Sequence, residues 1–355
     1  MPTKKILYTS VHPAPYIDRM LEYLDNEYEL TVIYNKLSDK YKQWAAYKWY
    51  KGFTFDDLSL KQKVQLIKES DIIIISGWAS WANIILIIFS WILNRPIAVF
   101  SDCPESVSKY SLLYWFKRLF LFKIIDYLLC ATNSTKSFYS KFYSIKADKL
   151  KVFPYAIHFS NSHHIHVSNE NKANELEKLR LPEIFISNSF YRRKGYSIIY
   201  EVFEELSRLG LLEKFNIKIA GTGDEYDYYR EKFHLLSPNI KLLGWLEYNE
   251  YINYLNNSDI FIHASFFEPF GIPPVDAMAC GKIVIVSDGV QSTCDIIENG
   301  KNGFIYNSTD WKQLVSIITN IDLKSKNIIG KNAIDTAKTN FSYTIYSKVL
   351  RECLK

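Results

Sequence analysis

The sequence predicts an α/β protein made of two doubly wound, Rossmann-like domains. Short apolar runs that suit buried parallel strands alternate with helical segments along the whole chain. The length of 355 residues is enough for two domains of ordinary size. A polar stretch rich in Ser, Asn, Lys and Glu separates the two halves of this alternation. We therefore expect domains at residues 1–160 and 183–338, a linker at 161–182 and a separate last helix at 339–355.

The composition is that of a soluble protein with reduced thiols. Hydrophobic residues make up 48% of the chain, and 43 Lys and Arg against 38 Asp and Glu leave a net charge of +5. The five Cys are scattered without a CxxC pair, which excludes a disulfide frame or a zinc site. In the linker, His163, His164 and His166 could bind a metal, but they lack acid or Cys partners at ligand spacing, so a polar linker is favoured. The chain begins with residues that run straight into a strand, so we expect no signal peptide and a cytoplasmic location.

The first domain opens with a predicted strand at 5–10, a loop with two prolines, a helix at 16–24 and a strand at 30–34. His12 in this loop has two interpretations, either a group that binds an acceptor or an ordinary polar loop residue. Residues 36–70 are predicted to be irregular and are rich in Tyr, Trp and Lys. These aromatic rings either stack on a bound acceptor or form a packed cluster, which we favour slightly.

The most apolar part of the chain follows. The Ile-rich run at 71–76 predicts a buried parallel strand. No ionisable group occurs from 72 to 93, so this stretch is long enough to cross a bilayer. However, Gly77 interrupts it, and a helix at 83–93 would end before a strand predicted at 96–100. We therefore favour a strand, a helix and a second strand over a transmembrane segment.

Residues 108–129 combine aromatic side chains with Lys and Arg in a predicted amphipathic helix. Such a helix either binds an anionic membrane surface or packs on the sheet with a solvated basic face, and both interpretations stay open. The first domain then ends with a strand at 127–132, a helix at 134–142 and a strand at 151–157.

The second domain is predicted to begin with strands at 183–189, 215–220 and 240–243, of which the first is followed by a basic loop and a helix at 197–209. Gly221 and Gly223 come directly after the second of these strands. A lone Gly-x-Gly is a weak signal for phosphate binding, and its position after a strand adds weight to it.

The most informative stretch lies between 260 and 287. A strand at 260–264 leads to a loop that contains Glu268, and Gly271 allows the backbone to approach a ligand closely. Two prolines then suit the first turn of a helix that ends at Gly281, before a strand at 283–287. The start of this helix would lie at the carboxyl edge of a sheet, where free N–H groups attract phosphate.

Two carboxylates flank this helix start. Asp276 lies within the first turn or so of the helix, so we expect it to face the same crevice as Glu268. A helix start that holds phosphate, beside carboxylates that bind hydroxyl groups, matches the chemistry of a sugar nucleotide. The alternative is an ordinary helix start with incidental acids.

The run Glu-Pro-Phe-Gly-Ile-Pro-Pro-Val-Asp-Ala-Met-Ala-Cys-Gly at 268–281 resembles the Glu-x7-Glu signature of the retaining family-4, or group 1, glycosyltransferases of the GT-B fold. Asp276 stands where the family usually has Glu. The resemblance covers 183–350 well and 1–157 loosely. It implies two domains that face each other across a cleft, with the last helix crossing back to the first domain.

The resemblance also implies roles for individual residues. Lys194 with Arg192 or Arg193 would hold a diphosphate, since Ser189 occupies the position of the family's usual loop Arg. Glu268 would bind sugar hydroxyls, and Asp102, which follows the strand at 96–100, is the acceptor-side candidate or else a helix cap. The residues expected at a donor are Arg192, Arg193, Lys194, Gly221, Gly223, Leu246, Glu268, Phe270, Gly271, Ile272 and Asp276.

The activity implied is transfer of a hexose with retention of configuration from a UDP-sugar, or a GDP-sugar, to a glycan or lipid-linked acceptor in cell-surface polysaccharide or glycoconjugate synthesis. Neither a metal, a further cofactor nor a nucleic-acid partner is expected. The protein would lie in the cytoplasm or on the inner face of the membrane, which it would reach through 108–129. Two rivals remain, a sugar-nucleotide epimerase of the same fold and a non-catalytic subunit that binds a sugar nucleotide.

Overall fold

The structure is a computed structural model that describes residues 3–35, 51–102, 111–157 and 180–355. The chain divides into two compact units, one formed by Met1–His158 with Phe341–Lys355 and the other by Phe159–Asn340. Several predictions fall outside the described residues. They concern most of the aromatic loop at 36–50, the start of the amphipathic helix at 108–110, and the linker with His163, His164 and His166.

The first unit is built on a seven-stranded sheet whose strands all pair in parallel, in the order β3-β2-β1-β4-β5-β6-β7. The strands are β1 (Lys5–Ser10), β2 (Glu29–Tyr34), β3 (Phe53–Thr54), β4 (Ile72–Ser76), β5 (Ile97–Ser101), β6 (Tyr127–Cys130) and β7 (Leu150–Val152). The strand order reverses between β1 and β4. In doubly wound sheets, ligands bind outside the carboxyl ends of the strands at such a reversal.

Helices cover both faces of this sheet. They are Pro15–Glu27, Leu60–Glu69, Trp81–Ile92, Leu112–Phe116, Phe122–Ile124, Asn133–Tyr143 and Thr344–Cys353. The last of these packs on the first, since the hydroxyls of Tyr23 and Ser347 lie 2.8 Å apart and the rings of Tyr23 and Tyr343 stack. The C-terminal helix therefore belongs to the first unit, as the GT-B fold implies.

Two sequence predictions in this unit were wrong. Residues 60–69, predicted as irregular, form the helix Leu60–Glu69, which starts with a capping box between Ser59 and Gln62. Only Ile67 of this helix is buried, so its many Lys and Gln residues leave no clear apolar stripe in the sequence. The amphipathic helix predicted to reach residue 129 ends at Ile124, because Tyr127–Cys130 pairs with β5 instead.

The apolar run at 72–93 divides as predicted into a strand and a helix. β4 is buried between its neighbours, and Gly77 turns the chain with a φ of +76°. The helix that follows, Trp81–Ile92, begins at Ser80, whose hydroxyl accepts a hydrogen bond from the Ala82 N–H. Among the described residues, no helix is both long and apolar enough to span a bilayer.

The second unit holds a six-stranded parallel sheet in the order β10-β9-β8-β11-β12-β13. Its strands are β8 (Glu183–Ser187), β9 (Asn216–Ala220), β10 (Ile240–Gly244), β11 (Ile260–His263), β12 (Ile283–Ser287) and β13 (Phe304–Tyr306). The helices include Tyr196–Arg208, Tyr226–Leu236, Tyr248–Asn257, Ile272–Ala279, Gln291–Cys294, Trp311–Asn320 and Lys326–Phe341. Fully buried Ile residues from the central strands form the core, and the order reverses between β8 and β11.

Candidate functional site

The candidate site lies at the reversal of strand order in the second unit. The loop at 188–195 follows β8 and the loop at 264–271 follows β11. Because these strands are parallel neighbours, both loops leave the same edge of the sheet. The Phe266 N–H donates to the Arg193 carbonyl at 2.9 Å and so joins the two loops. This backbone bond brings Lys194 and Glu268 together, although they lie far apart in the sequence.

Two glycines allow close packing near this site, Gly221 against the loop after β8 and Gly271 against Val290. A Cβ on Gly221 would lie 1.8 Å from the Asn188 carbonyl oxygen, and its φ is +129°. Gly271 has a φ of +90°, and a Cβ there would lie 2.9 Å from Cγ1 of Val290. Both positions therefore require glycine. At Gly221, a side chain would collide with the loop after β8.

Glu268 is the residue on which the basic side chains converge. Its Oε2 accepts a hydrogen bond from Nζ of Lys194 and lies 3.6 Å from Nη1 of Arg193. Nε2 of His263 lies 3.9 Å from the same oxygen. The Lys194 and Glu268 side chains are only 10% and 14% exposed. Among the described residues, the hydrogen bond to this carboxylate uses Oε2, and Oε1 accepts none from them.

The protonation states follow from this arrangement. Burial by itself would raise the pKa of Glu268, but the His263 imidazole and the Lys194 ammonium outweigh it and lower that pKa to about 2. Burial lowers the pKa of Lys194, and the charge of Glu268 offsets part of this shift. Burial also lowers the pKa of His263 below its ordinary value of 6.5. At neutral pH the site thus holds a carboxylate, an ammonium and a neutral imidazole.

A buried polar cluster behind Glu268 was missed by the sequence analysis. It consists of the buried His263 and Ser265 and the half-buried Asn188, at the ends of β8 and β11. Nδ2 of Asn188 donates to Oγ of Ser265 at 3.0 Å, and Ser265 Oγ lies 3.2 Å from Nε2 of His263. The available signal was His263 itself, a lone ionisable residue in the apolar run Ile-Phe-Ile-His.

The helix Ile272–Ala279 begins next to Glu268, as predicted. Pro273 and Pro274 occupy its first turn and contribute no N–H, so an anion there would meet the N–H groups near Gly271 and Ile272. The Phe270 side chain is buried, so a contact from this residue to a ligand would come from its backbone.

Asp276 lies deeper in this helix than predicted. It is the fifth helical residue, beyond the first turn, and its side chain is buried. The Tyr251 hydroxyl, from the helix Tyr248–Asn257, donates to its Oδ2 at 3.2 Å. The prediction assumed a carboxylate open to a crevice, and the structure instead shows one that is engaged by a buried tyrosine.

The remaining predicted residues have different surroundings. Arg193 is half exposed and donates from Nη1 to the Phe267 carbonyl at 3.1 Å, while Arg192 is exposed at the surface. Leu246 follows β10 and is partly buried. In the first unit, Asp102 follows β5, and the Tyr155 hydroxyl donates to its Oδ2 at 3.2 Å.

Comparison with known proteins agrees with this description. Residues 167–335 match the family model for glycosyl transferases group 1. The capsular polysaccharide biosynthesis glycosyltransferase CapM of Staphylococcus aureus is 25% identical over 312 residues, which cover 82% of this chain and 79% of CapM. An uncharacterized glycosyltransferase of Methanocaldococcus jannaschii, MJ1069, is 23% identical over 249 residues, which cover 67% of this chain and 61% of that protein.

Solved structures resemble the whole chain. The crystal structure of Anabaena HepE in complex with UDP-glucose has a TM-score of 0.73 at 20% identity, and 98% of each chain is covered. Sucrose-phosphate synthase from Thermosynechococcus elongatus has a TM-score of 0.70 at 14% identity, again with 98% of each chain covered.

The fold is therefore GT-B, with two Rossmann-like units and a C-terminal helix that belongs to the first. The chain is a glycosyltransferase, and its residues 167–335 match the model for glycosyl transferases group 1. This confirms the predicted fold and the resemblance to group 1 glycosyltransferases.

Proposed function

We propose that the chain transfers a hexose, with retention of configuration, from a nucleotide-diphosphate sugar to a glycan or lipid-linked acceptor in cell-surface polysaccharide synthesis. The similarity to a capsular polysaccharide glycosyltransferase supports the pathway. The UDP-glucose bound by HepE, which has the same fold, supports UDP as the nucleotide of the donor, with GDP as the alternative.

The observation that carries this proposal is that the two carboxylate oxygens of Glu268 have different surroundings. Oε2 faces Lys194, Arg193 and His263, whereas Oε1 accepts no hydrogen bond from the described residues. A carboxylate with a pKa of about 2 only accepts hydrogen bonds at neutral pH. Glu268 would therefore accept a hydrogen bond from a sugar hydroxyl through Oε1.

Lys194 and Arg193 would bind the diphosphate, with Arg192 as the alternative to Arg193. Negative charge builds on the leaving phosphate as the glycosidic bond breaks, and fixed cations beside it lower the barrier. Arg offers a planar fork to phosphate and Lys a point charge. The N–H groups near Gly271 and Ile272 would add to this site. The acceptor would then attack the sugar from the same face that the phosphate leaves, assisted by the leaving phosphate.

The other predicted residues keep their roles in this proposal. Asp276, which accepts a hydrogen bond from Tyr251, would contact the ribose, and Gly221, Gly223 and Leu246 would line the nucleotide. Asp102 would act on the acceptor side as a base or an orienting group, held by its hydrogen bond from Tyr155. An Asp102→Asn variant that transfers sugar at the wild-type rate would remove Asp102 from the proposal.

An anionic membrane surface is the proposed location of the acceptor. The described part of the segment at 108–129 exposes 89% of Leu112 and about half of Trp115; Arg118 lies 5.7 Å from the Trp115 ring centroid, and Lys123 is also exposed. The rings of Phe120 and Trp91 are 6.3 Å apart, which joins this segment to the exposed side of the helix Trp81–Ile92. Apolar rings flanked by cations favour the interface of an anionic bilayer.

Vesicle pelleting tests this location. Anionic vesicles should retain the protein at low salt and release it at high salt, and a Leu112→Ser/Trp115→Ser variant should bind more weakly. Equal recovery with neutral and anionic vesicles would remove the membrane from the proposal.

Glu268→Gln tests the transfer itself. This change keeps the size of the side chain and removes its charge, so turnover of UDP-glucose or another nucleotide sugar should fall by about a hundredfold or more. A panel of nucleotide diphosphates, measured as shifts in melting temperature, identifies the base beforehand, because a ligand that binds only the folded state raises Tm. Turnover by wild type without an acceptor would favour the epimerase, and binding without any turnover would favour the non-catalytic subunit.

A further inference from the structure

The buried cluster behind Glu268 has no role in the transfer as described so far. His263 is 1% exposed and Ser265 is fully buried. Buried polar groups cost free energy unless they are hydrogen-bonded, and partly satisfied clusters are the most costly. A histidine at the end of an otherwise apolar strand therefore calls for an explanation beyond packing.

The contacts of His263 are concentrated on one edge of its ring. Nε2 lies 3.2 Å from Oγ of Ser265, 3.3 Å from Nδ2 of Asn188 and 3.9 Å from Oε2 of Glu268. Nδ1 is buried and makes no hydrogen bond with the described residues. A histidine that served only the core would be expected to satisfy both nitrogens, whereas this one satisfies the edge that faces Glu268.

The partners of His263 are themselves fixed. Oδ1 of Asn188 accepts a hydrogen bond from the Ser189 N–H at 3.0 Å, which directs Nδ2 into the cluster as a donor. The Ser265 carbonyl accepts a hydrogen bond from the Ser287 hydroxyl at 2.5 Å, which ties the loop after β11 to the end of β12. The imidazole is thus held at its Nε2 edge by two groups that backbone hydrogen bonds position.

We propose that His263 is a positioning residue for Glu268. Its Nε2 edge, held by Asn188 and Ser265, fills the space behind Oε2 with polar atoms, keeps that oxygen turned toward Lys194 and so presents Oε1 to the sugar. This inference rests on the proposed role of Glu268 as the group that binds sugar hydroxyls. An apolar side chain at position 263 would leave the carboxylate free to rotate or to pair differently with Arg193.

A purely structural cluster and a positioning cluster make different predictions. If His263 only satisfies the core, its loss lowers stability and leaves the chemistry of folded molecules unchanged. If it positions Glu268, its loss also weakens recognition of the sugar while recognition of the nucleotide diphosphate, which Glu268 does not bind, is retained.

The test uses His263→Leu, which removes the polar edge, and His263→Gln, which keeps a polar group of similar reach. Ile262→Val is the control, because it removes a methyl group from the neighbouring fully buried position of the same strand. Each full-length protein is titrated with UDP and with UDP-glucose, and kcat and KM for sugar release or transfer are measured on the folded fraction.

We expect His263→Leu to lower kcat/KM by about tenfold to a hundredfold, as small misplacements of a reacting group do. UDP affinity should stay within about twofold of wild type, so the preference for UDP-glucose over UDP is lost. His263→Gln should recover much of the activity, and Ile262→Val should match wild type. Wild-type kinetics in folded His263→Leu, or an equal loss in Ile262→Val, would overturn the inference.

Two further arms keep the test decisive. If His263→Leu does not fold, Ser265→Ala removes one contact of Nε2 and leaves the imidazole in place, and a smaller loss of the same kind is expected. If wild type turns over no nucleotide sugar, the proposed function fails, whereas the positioning of Glu268 is still judged by whether His263→Leu alters the affinity difference between UDP-glucose and UDP.

Discussion

The Lys194 ammonium donates a hydrogen bond to Oε2 of Glu268, so the two residues assigned to diphosphate and sugar are bound to each other before a donor arrives. Both side chains are nearly buried. The ammonium of Lys194 lies closer to Oε2 of Glu268 than the guanidinium of Arg193, whose Nη1 is 3.6 Å away. A donor must therefore share or replace this ion pair. Pairing stabilises both charged groups in a site where an unpaired charge would cost free energy.

Replacement of Lys194 tests the share of catalysis that this cation carries. Lys194→Met should lower turnover by about a hundredfold or more, because it removes a fixed charge beside the leaving phosphate. Lys194→Arg keeps the charge and should lose less. The measurement is kcat with a saturating nucleotide sugar, and Lys301→Met, which removes an exposed lysine paired with Glu298, is the control. Equal activity of Lys194→Met and the control would contradict the assignment.

The alkaline side of the pH profile should report the titration of Lys194. Burial holds its pKa below the ordinary value of 10.5, so kcat/KM of the free enzyme should begin to fall at a lower pH than for an exposed lysine. Arginine stays protonated throughout this range, so Lys194→Arg should flatten the decline. A profile that is identical in both proteins would assign the alkaline limb to another group.

The acid side concerns stability. The pKa of Glu268 is about 2 in the folded protein and about 4.5 when unfolded, so its ionisation stabilises the fold above pH 4.5 and this contribution is lost as the pH falls toward 2. From pH 6 to pH 3 the loss should be about 2 kcal/mol. The free energy of unfolding of wild type, minus that of Glu268→Gln, should shrink by this amount in urea titrations. A constant difference across this range would mean that the carboxylate is not held as described.

The hydrogen bond between Tyr251 and Asp276 should contribute to stability. Tyr251→Phe removes the donor and leaves a buried carboxylate with less support, which should cost about 1–3 kcal/mol. Tyr254→Phe on the same helix is the control and should cost less. A double-mutant cycle with Asp276→Asn isolates the pair, and a coupling energy near zero would show that the hydroxyl acts elsewhere.

Gly221 should tolerate substitution much less well than Gly210. Both have positive φ, but a Cβ on Gly210 meets nothing within 4 Å, whereas one on Gly221 would lie 1.8 Å from the Asn188 carbonyl oxygen. Gly210→Ala should cost about 1–2 kcal/mol for its backbone conformation alone. Gly221→Ala should cost clearly more, because the loop after β8 must move. Equal melting temperatures of the two variants would rule out this close contact.

The sequence allowed the fold and the best-marked half of the site to be predicted. Runs such as Ile72–Ser76 are apolar on both faces, which indicates a buried parallel strand wherever they occur. The motif around Glu268 carries its own signal, since strand, glycine, prolines and acid follow one another within a short segment. The helix Leu60–Glu69 was missed because one buried residue gives too weak a stripe.

The other half of the site depends on contacts between distant segments. Asn188 and Ser265 lie in different loops, and only the pairing of β8 with β11 brings them together around His263. Likewise, nothing in the sequence near Asp276 indicates that Tyr251 would reach it from another helix. Spacing within a motif indicates candidate residues, whereas their orientation is set by neighbours that the motif does not contain.

Besides side-chain contacts, main-chain hydrogen bonds connect the loops that follow β8, β11 and β12 around Glu268. The Phe266 N–H binds the Arg193 carbonyl, the Glu268 N–H binds the Gly289 carbonyl, and the Gln291 N–H binds the Glu268 carbonyl. Any amino acid except proline can supply such an N–H. These main-chain connections therefore do not depend on which side chains the loops carry, and laboratory evolution could vary exposed residues of the loops without removing this part of their support.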